Sequence, residues 1–162
     1  VAAMEISRAE LYVDDRAGLE MSVLRERALK YRNENQVEFI AIDDLRLIKS
    51  NTRQAEQVVE HELAEVSAGI KALAKELGVP ILVLADSNRR QDSKTGEKDR
   101  WVSRMADLGD LRAIGQNADQ VGLLHREWND EAWLVLAKNR TGKTGWIPLY
   151  PPGEFMFFES RS

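Results

Sequence analysis

The chain has 162 residues, of which 43% are hydrophobic and 31% charged, and its formal net charge is −4. This length and composition predict one folded domain and exclude a disordered tail or a fibrous repeat, and no apolar run approaches the roughly 20 residues of a membrane helix. The sequence has no cysteine and two histidines, which excludes disulfides, thiolate metal sites and a cysteine nucleophile.

Short apolar runs alternate with long amphipathic stretches over the first three quarters of the chain. The central runs are apolar on both faces, which indicates a parallel sheet covered by helices on both sides. The predicted elements are a strand at 11–13, a helix at 21–33, a strand at 37–42, a helix at 54–77, a strand at 81–85, an exposed loop at 87–104, an irregular or weakly helical stretch at 107–119, and a third central strand at 120–124.

The pattern changes after residue 124, where strands follow one another with only turns between them. Strands are predicted at 132–137, 146–150 and 155–158, and Gly142 and Gly153 lie in the turns. This spacing is typical of an antiparallel meander. The predicted fold class is therefore α/β, a mainly parallel sheet flanked by helices with an antiparallel C-terminal part.

Two of the apolar strands end in an acidic residue. Asp43 and Asp44 follow the strand at 37–42, and Asp86 follows the strand at 81–85. The first has the form of a Walker B strand, in which a carboxylate at the carboxyl end of a buried strand holds the magnesium–water shell of a nucleotide. The alternative readings are a buried strand whose Asp starts a helix and, for Asp86, an acid in an exposed loop.

Residues 137–144 fit a loose P-loop pattern, with Ala137 in the first place and Gly142, Lys143 and Thr144 at the end. A P-loop needs a helix after it, because the helix N-terminus faces the phosphates. Residues 145–150 favour a β-strand, and Pro148 lies where that helix would run. We therefore interpret the stretch as a hairpin turn that presents Lys138, Arg140 and Lys143.

Basic side chains are concentrated in two places in this acidic chain. One is the turn after residue 137. The other is the 87–104 loop, which includes Arg89 and Arg90 and has six basic side chains against three acidic ones. Either group could contact phosphates, and a solvated loop is the alternative for 87–104.

Taken together, these segments resemble the C-terminal ATPase domain of DnaB-type replicative DNA helicases, with a RecA-like fold. The resemblance covers most of residues 11–158. The matching stretches are 11–15 before the first long helix, 39–47 at the Walker B strand, 65–80 along the second long helix, 86–89 after the next strand, 107–119, and 138–142 in the basic turn.

The resemblance implies a role for each candidate residue. Asp43 would hold Mg²⁺ with ATP, Asp86 would occupy the position that senses the γ-phosphate, and Arg140 would be an arginine finger on the neighbour's nucleotide, with Lys138 as its companion. Single-stranded DNA would contact the channel loop, and the family's ring, a hexamer, would bind a primase or a helicase loader in the cytoplasm of a bacterium or a phage host. The residues expected at the DNA are Arg89, Arg90, Gly109, Asp110 and Arg112.

The sequence departs from the family pattern at several places. Arg46 and Asp86 each replace a glutamine and Gly109 replaces an arginine, while the Walker A loop and the glutamate that activates water would precede residue 11. We therefore expect residues 1–162 to be the C-terminal part of one RecA-like domain that does not hydrolyse ATP by itself. The alternatives are a degenerate, non-catalytic module for assembly on DNA or partner proteins, and a RecA-like ATPase of a recombination or clock family.

Overall fold

The structure, a computed structural model, describes residues 2–16, 18–50, 59–86, 111–126, 132–150 and 159–160. None of the helices in these ranges is long and apolar enough to cross a membrane. The elements are α1 (Ala2–Arg8), α2 (Met21–Asn35), β1 (Ile40–Ile42), a 3-10 turn (Leu45–Leu47), α3 (Val59–Leu77), β2 (Ile81–Val83), α4 (Arg112–Asn117), β3 (Gln120–Arg126), β4 (Ala132–Asn139), β5 (Gly145–Tyr150) and β6 (Glu159–Ser160).

Strands β1 and β2 form a parallel pair, with Ile40 opposite Ile81 and Ile42 opposite Val83. Parallel neighbours need a crossover connection, and helix α3 lies within it. The ladder continues past both strands, since the Leu84 amide donates to the Ile42 carbonyl at 2.9 Å. The carboxyl ends of β1 and β2 therefore lie side by side.

Helix α3 supplies the core with a stripe of apolar side chains at helical spacing. Leu63, Val66 and Ile70 pack with Ile42 and Leu45 beside the carboxyl end of β1, and Leu73 and Leu77 pack with Ala28 of α2 and with Val79. Gly78 ends the helix at a φ of 63°, a conformation that glycine adopts readily. The Val79 amide then donates to the Ala74 carbonyl at 3.3 Å, as in a Schellman motif.

The predicted helices at 21–33 and 54–77 are confirmed over their described residues, and the second ends at residue 77 as predicted. The two predicted parallel strands are shorter than expected, at three residues each. The weakly helical stretch is confirmed over its described part by the six-residue helix α4.

Two predictions about strands are wrong, and one helix was not predicted. Residues 11–13 are not a strand, and Leu11 and Val13 are exposed; an apolar run becomes a strand only where a neighbour pairs with it, and none of the described residues does. Strand β3 does not extend the parallel sheet; it pairs antiparallel with β4. The unpredicted helix is α1.

Strands β3, β4, β5 and β6 form an antiparallel sheet in chain order. This confirms the predicted meander for its described strands, whereas the predicted strand at 155–158 lies outside the described residues. The predicted loop at 87–104, with Arg89 and Arg90, and the positions Gly109 and Asp110 also lie outside them.

Candidate nucleotide-facing site

Three acidic residues lie at the carboxyl ends of the parallel strands. Asp43 directly follows β1, and Asp86 follows β2 by three residues; both are exposed. Ligands of open α/β sheets bind at this edge, and the Walker B interpretation of Asp43 stays a prediction. Asp44 is already used locally, since its Oδ1 accepts the Arg46 amide at 3.1 Å and caps the 3-10 turn. The Asp43–Asp44 peptide bond is cis.

The donor set at this edge fits magnesium held together with a nucleotide. The Asp43 carboxylate is exposed and forms no hydrogen bond or ion pair with another described residue. Within the described ranges no three His, Asp or Glu side chains form a group that could hold a metal ion. Mg²⁺ is typically held by one or two carboxylates together with substrate phosphates, so one exposed carboxylate suits it.

Arg46 connects the tips of the two strands. Its Nη2 donates to the Asp86 carbonyl at 2.8 Å, while its backbone is held by Asp44. A guanidinium therefore lies beside Asp86, the acid that replaces the family's glutamine. In the sequence, Arg46 is noticeable only as a departure from the family pattern. Its contact with Asp86 could not be predicted because it depends on the pairing of β1 with β2.

The basic turn is a hairpin between β4 and β5. Leu136 pairs with Gly145, and the chain continues as the strand β5 rather than as a helix. The Asn139 side chain closes the turn, accepting the Thr141 amide at 3.2 Å and donating to the Lys143 carbonyl at 3.1 Å. This confirms the hairpin interpretation and excludes the P-loop reading of residues 137–144.

Lys138 and Arg140 leave this hairpin for different surroundings. Lys138 Nζ donates to the carbonyls of Gly115 and Gln116 at 2.8 and 2.9 Å and so caps the C-terminal end of α4. Burial, and secondarily the Arg140 charge, lowers the pKa of Lys138 below its ordinary value. Arg140 is exposed, and its Nη1 donates to Asp119 Oδ1 at 3.1 Å.

Asp119 and Lys71 form a charged cluster with Lys138 and Arg140, and the sequence gives no sign that these four residues meet. Asp119 accepts from Lys71 of α3 with Oδ2 and from Arg140 with Oδ1. The hydrogen bond from Lys71 is the main reason that the pKa of Asp119 lies below its ordinary value. No local signal identifies such a contact, because it joins residues 48 positions apart.

Arg112 is the one predicted DNA-contact residue among the described ranges. It is the first residue of α4 and is exposed, whereas the preceding Leu111 is buried in the core. Helix α4 is thus held by Leu111 at its start and by Lys138 at its end.

Comparison with known proteins gives a consistent result. The family model for the DnaB-like helicase C-terminal domain matches residues 1–160. The chain is 36% identical to the replicative DNA helicase DnaB of Mycobacterium leprae over 148 residues, which is 86% of the chain and 24% of that protein. It is 28% identical to DnaB of Rickettsia felis over 181 aligned positions, which is 96% of the chain and 35% of that protein. The chain therefore spans about a quarter to a third of these relatives.

Solved structures agree on the fold. A DnaB-like replicative helicase, described together with its interactions with primase, matches with a TM-score of 0.79 at 22% identity over 97% of this chain and 39% of that one. A second solved structure, of an ATPase domain, matches with a TM-score of 0.79 at 22% identity over 99% of this chain and 58% of that one. The fold is thus the RecA-like α/β fold expected from the sequence. With the family match along nearly its whole length, the chain belongs to the DnaB-like helicase C-terminal domain family.

Proposed function

We propose that this chain contributes to ATP hydrolysis at the subunit interfaces of a replicative DNA helicase ring, and that hydrolysis drives movement along single-stranded DNA. Residues 1–162 would be the C-terminal part of one RecA-like domain in a longer subunit that also carries a P-loop. The family match and the short span of the chain against its relatives support this arrangement. The ring would be a hexamer that acts in the cytoplasm.

The observation that carries the proposal is that the two candidate phosphate-binding groups belong to different sheets. The exposed Asp43 carboxylate lies at the edge of the parallel pair, whereas the exposed Arg140 lies on a hairpin of the antiparallel sheet. A nucleotide site shared between neighbouring subunits needs this division, with a carboxylate on one side and a cation on the other. The chain therefore suits a role in two adjacent sites.

In the first of these sites, Asp43 would bind the water shell of Mg²⁺ accompanying ATP, and Asp86 would lie one strand away. Bound Mg²⁺ would neutralise charge on the β- and γ-phosphates. The Asp86 carboxylate would repel a γ-phosphate, and the Arg46 guanidinium, which is bonded to the Asp86 backbone carbonyl, would supply an opposing positive charge. Asp43 is thus the residue on which nucleotide binding within one subunit would depend.

In the second site, Arg140 would reach the γ-phosphate bound by the neighbouring subunit. A planar guanidinium suits the charge spread over the equatorial oxygens of a transferring phosphoryl group. Lys138, two residues earlier on the same hairpin, would add positive charge while fixing the hairpin against α4.

Single-stranded DNA would bind along the segment that leads into α4. Arg112, Arg89 and Arg90 would contact phosphates, and Gly109 and Asp110 would be the other positions at the DNA. A structural relative is described with primase, and by that likeness we include primase, or a helicase loader, among the partners.

Removing Arg140 tests the proposal. In rings of the full-length subunit, Arg140→Ala should leave ATP binding intact and lower turnover by about 10³-fold, the scale of arginine-finger effects. Lys143→Ala, in the same turn, is the matched control and should change turnover little. Unchanged turnover in Arg140→Ala would instead show that the turn is an ordinary exposed hairpin. A wild-type ring without turnover would favour the non-catalytic module, the reading to which the carboxylate of Asp86 points.

A further inference from the structure

Asp119 connects the hairpin that carries Arg140 to the long helix α3. Its Oδ1 accepts the Arg140 guanidinium at 3.1 Å, and its Oδ2 accepts Lys71 Nζ. In addition, the Arg140 backbone amide donates to the Asp119 carbonyl at 3.0 Å. One residue therefore fixes both the backbone and the side chain of Arg140.

The two ion pairs of Asp119 differ in how firmly they are held. The side chains of Arg140 and Asp119 are 54% and 53% exposed, whereas that of Lys71 is 23% exposed. An exposed ion pair by itself is weak, so the less exposed Lys71 is the firmer anchor of the carboxylate. Among the described contacts the Asp119 carboxylate holds Arg140 through Nη1 alone, which leaves the other guanidinium donors for a phosphate while the Asp119 contact stays in place.

Charge around Asp119 favours a contact of Arg140 with a phosphate. Lys71 and Arg140 both pair with this one carboxylate. Lys138 donates to the carbonyls at the end of α4 and interacts with Asp119 through its charge alone. The cluster therefore keeps an excess of positive charge that an incoming phosphoryl group would neutralise. Arg140 is the most exposed of the three.

We propose that Asp119 is a positioning residue for Arg140: its carboxylate, anchored to α3 through Lys71, orients the guanidinium so that it meets the neighbour's phosphoryl group at little conformational cost. This inference rests on the proposed function, because it assumes that Arg140 acts on a nucleotide. Pre-organised side chains lose less entropy in the transition state. Asp119 would thus affect turnover without touching the nucleotide.

Asp119→Asn in the full-length ring tests this role. It should lower kcat about tenfold, the low end of the losses seen when the hydrogen-bond partner of a metal ligand is removed, while KM for ATP stays unchanged. Asp119→Glu, which keeps the charge, should recover part of the loss. Asp14→Asn is the matched control, because Asp14 likewise shares its carboxylate between two cations, Arg16 and Arg27; it should leave kcat unchanged.

The double variant Asp119→Asn/Arg140→Ala separates positioning from a general structural role. If Asp119 acts through Arg140, the double variant should be no slower than Arg140→Ala alone. Losses that multiply, or a kcat of Asp119→Asn equal to wild type, would overturn the inference. Should Arg140→Ala itself leave turnover unchanged, the proposed function fails first, so the two failures are distinguishable.

Discussion

Lys138 and Arg140 of the hairpin have similar sequence contexts but different surroundings in the fold. Lys138 and Arg140 are both cations, two residues apart, at the end of one strand. Lys138 is turned inward and satisfies two carbonyls of α4, whereas Arg140 stays exposed on Asp119. The exposed guanidinium of Arg140 can reach a ligand, whereas the partly buried ammonium of Lys138 fixes the hairpin against α4.

The ion pairs of Asp119 predict a dependence of stability on pH. The Lys71 hydrogen bond lowers the pKa of Asp119 below its ordinary value of 3.8, so the folded state binds this proton less readily than the unfolded chain. The stabilisation is therefore fully present above pH 3.8 and is lost as the pH falls through the lowered pKa. Asp119→Asn should reduce the free energy of unfolding at neutral pH and have a smaller effect in acid.

Urea denaturation at a series of pH values measures this difference. Asp15→Asn, run in parallel, corrects for the general effect of removing a carboxylate from the surface, because Asp15 is exposed and forms no hydrogen bond or ion pair with another described residue. The assigned ion pairs would be contradicted if the difference in the free energy of unfolding between wild type and Asp119→Asn stayed constant from neutral to strongly acidic pH.

Helix α3 is the element that the sequence predicted best. The apolar spacing of this helix, the glycine after it and the apolar strand that follows are all local signals. The buried residues of α3 repeat at the helical spacing on which the prediction of a helix at 54–77 rests; they are Leu63, Val66, Ile70, Leu73 and Leu77. The acidic ends of β1 and β2 were predictable for the same reason. The strand predicted at 11–13 and the predicted place of β3 in the parallel sheet were wrong because strand pairing is not a local property. The contacts of Asp119 with Lys71 and Arg140 likewise depend on tertiary packing, which local patterns do not encode.

Truncation of a core residue of α3 should destabilise the chain strongly. Leu73 is 2% exposed and packs in the cluster with Ala28 and Leu77. Leu73→Ala should therefore lower the free energy of unfolding by about 2–5 kcal/mol through lost burial and a residual cavity. Lys75→Ala, on the exposed side of the same helix, should change it by less than about 0.5 kcal/mol. Equal effects of both variants in urea denaturation would contradict the assigned helix face.

At the scale of the whole molecule, the net charge of −4 opposes binding of DNA by a single copy of the chain. Binding would depend on Arg112 and its neighbours being repeated around a ring. The isolated chain should therefore bind single-stranded DNA weakly, and the assembled ring should bind with a steep salt dependence.

Replacement of Arg112 tests this path for DNA. Each phosphate contact that is lost should flatten the slope of log affinity against log salt by roughly 0.7, and Arg112→Ala removes one such cation from every subunit of the ring. Arg112→Ala should therefore weaken binding of all sequences alike, since phosphates carry no base identity. Lys30→Ala, an exposed cation of α2, is the control. Superimposable salt titrations of wild-type and Arg112→Ala rings would contradict a contact between Arg112 and DNA.

The central claim is that one chain serves two adjacent nucleotide sites, with Asp43 in one and Arg140 in the next. Rings of Asp43→Asn subunits alone, and of Arg140→Ala subunits alone, should both have little ATPase activity. Co-assembly of the two, verified with two affinity tags, creates interfaces in which an intact Asp43 faces an intact Arg140. We predict that the mixed rings regain turnover; mixed rings no more active than either parent would show that the two residues do not act across a subunit interface.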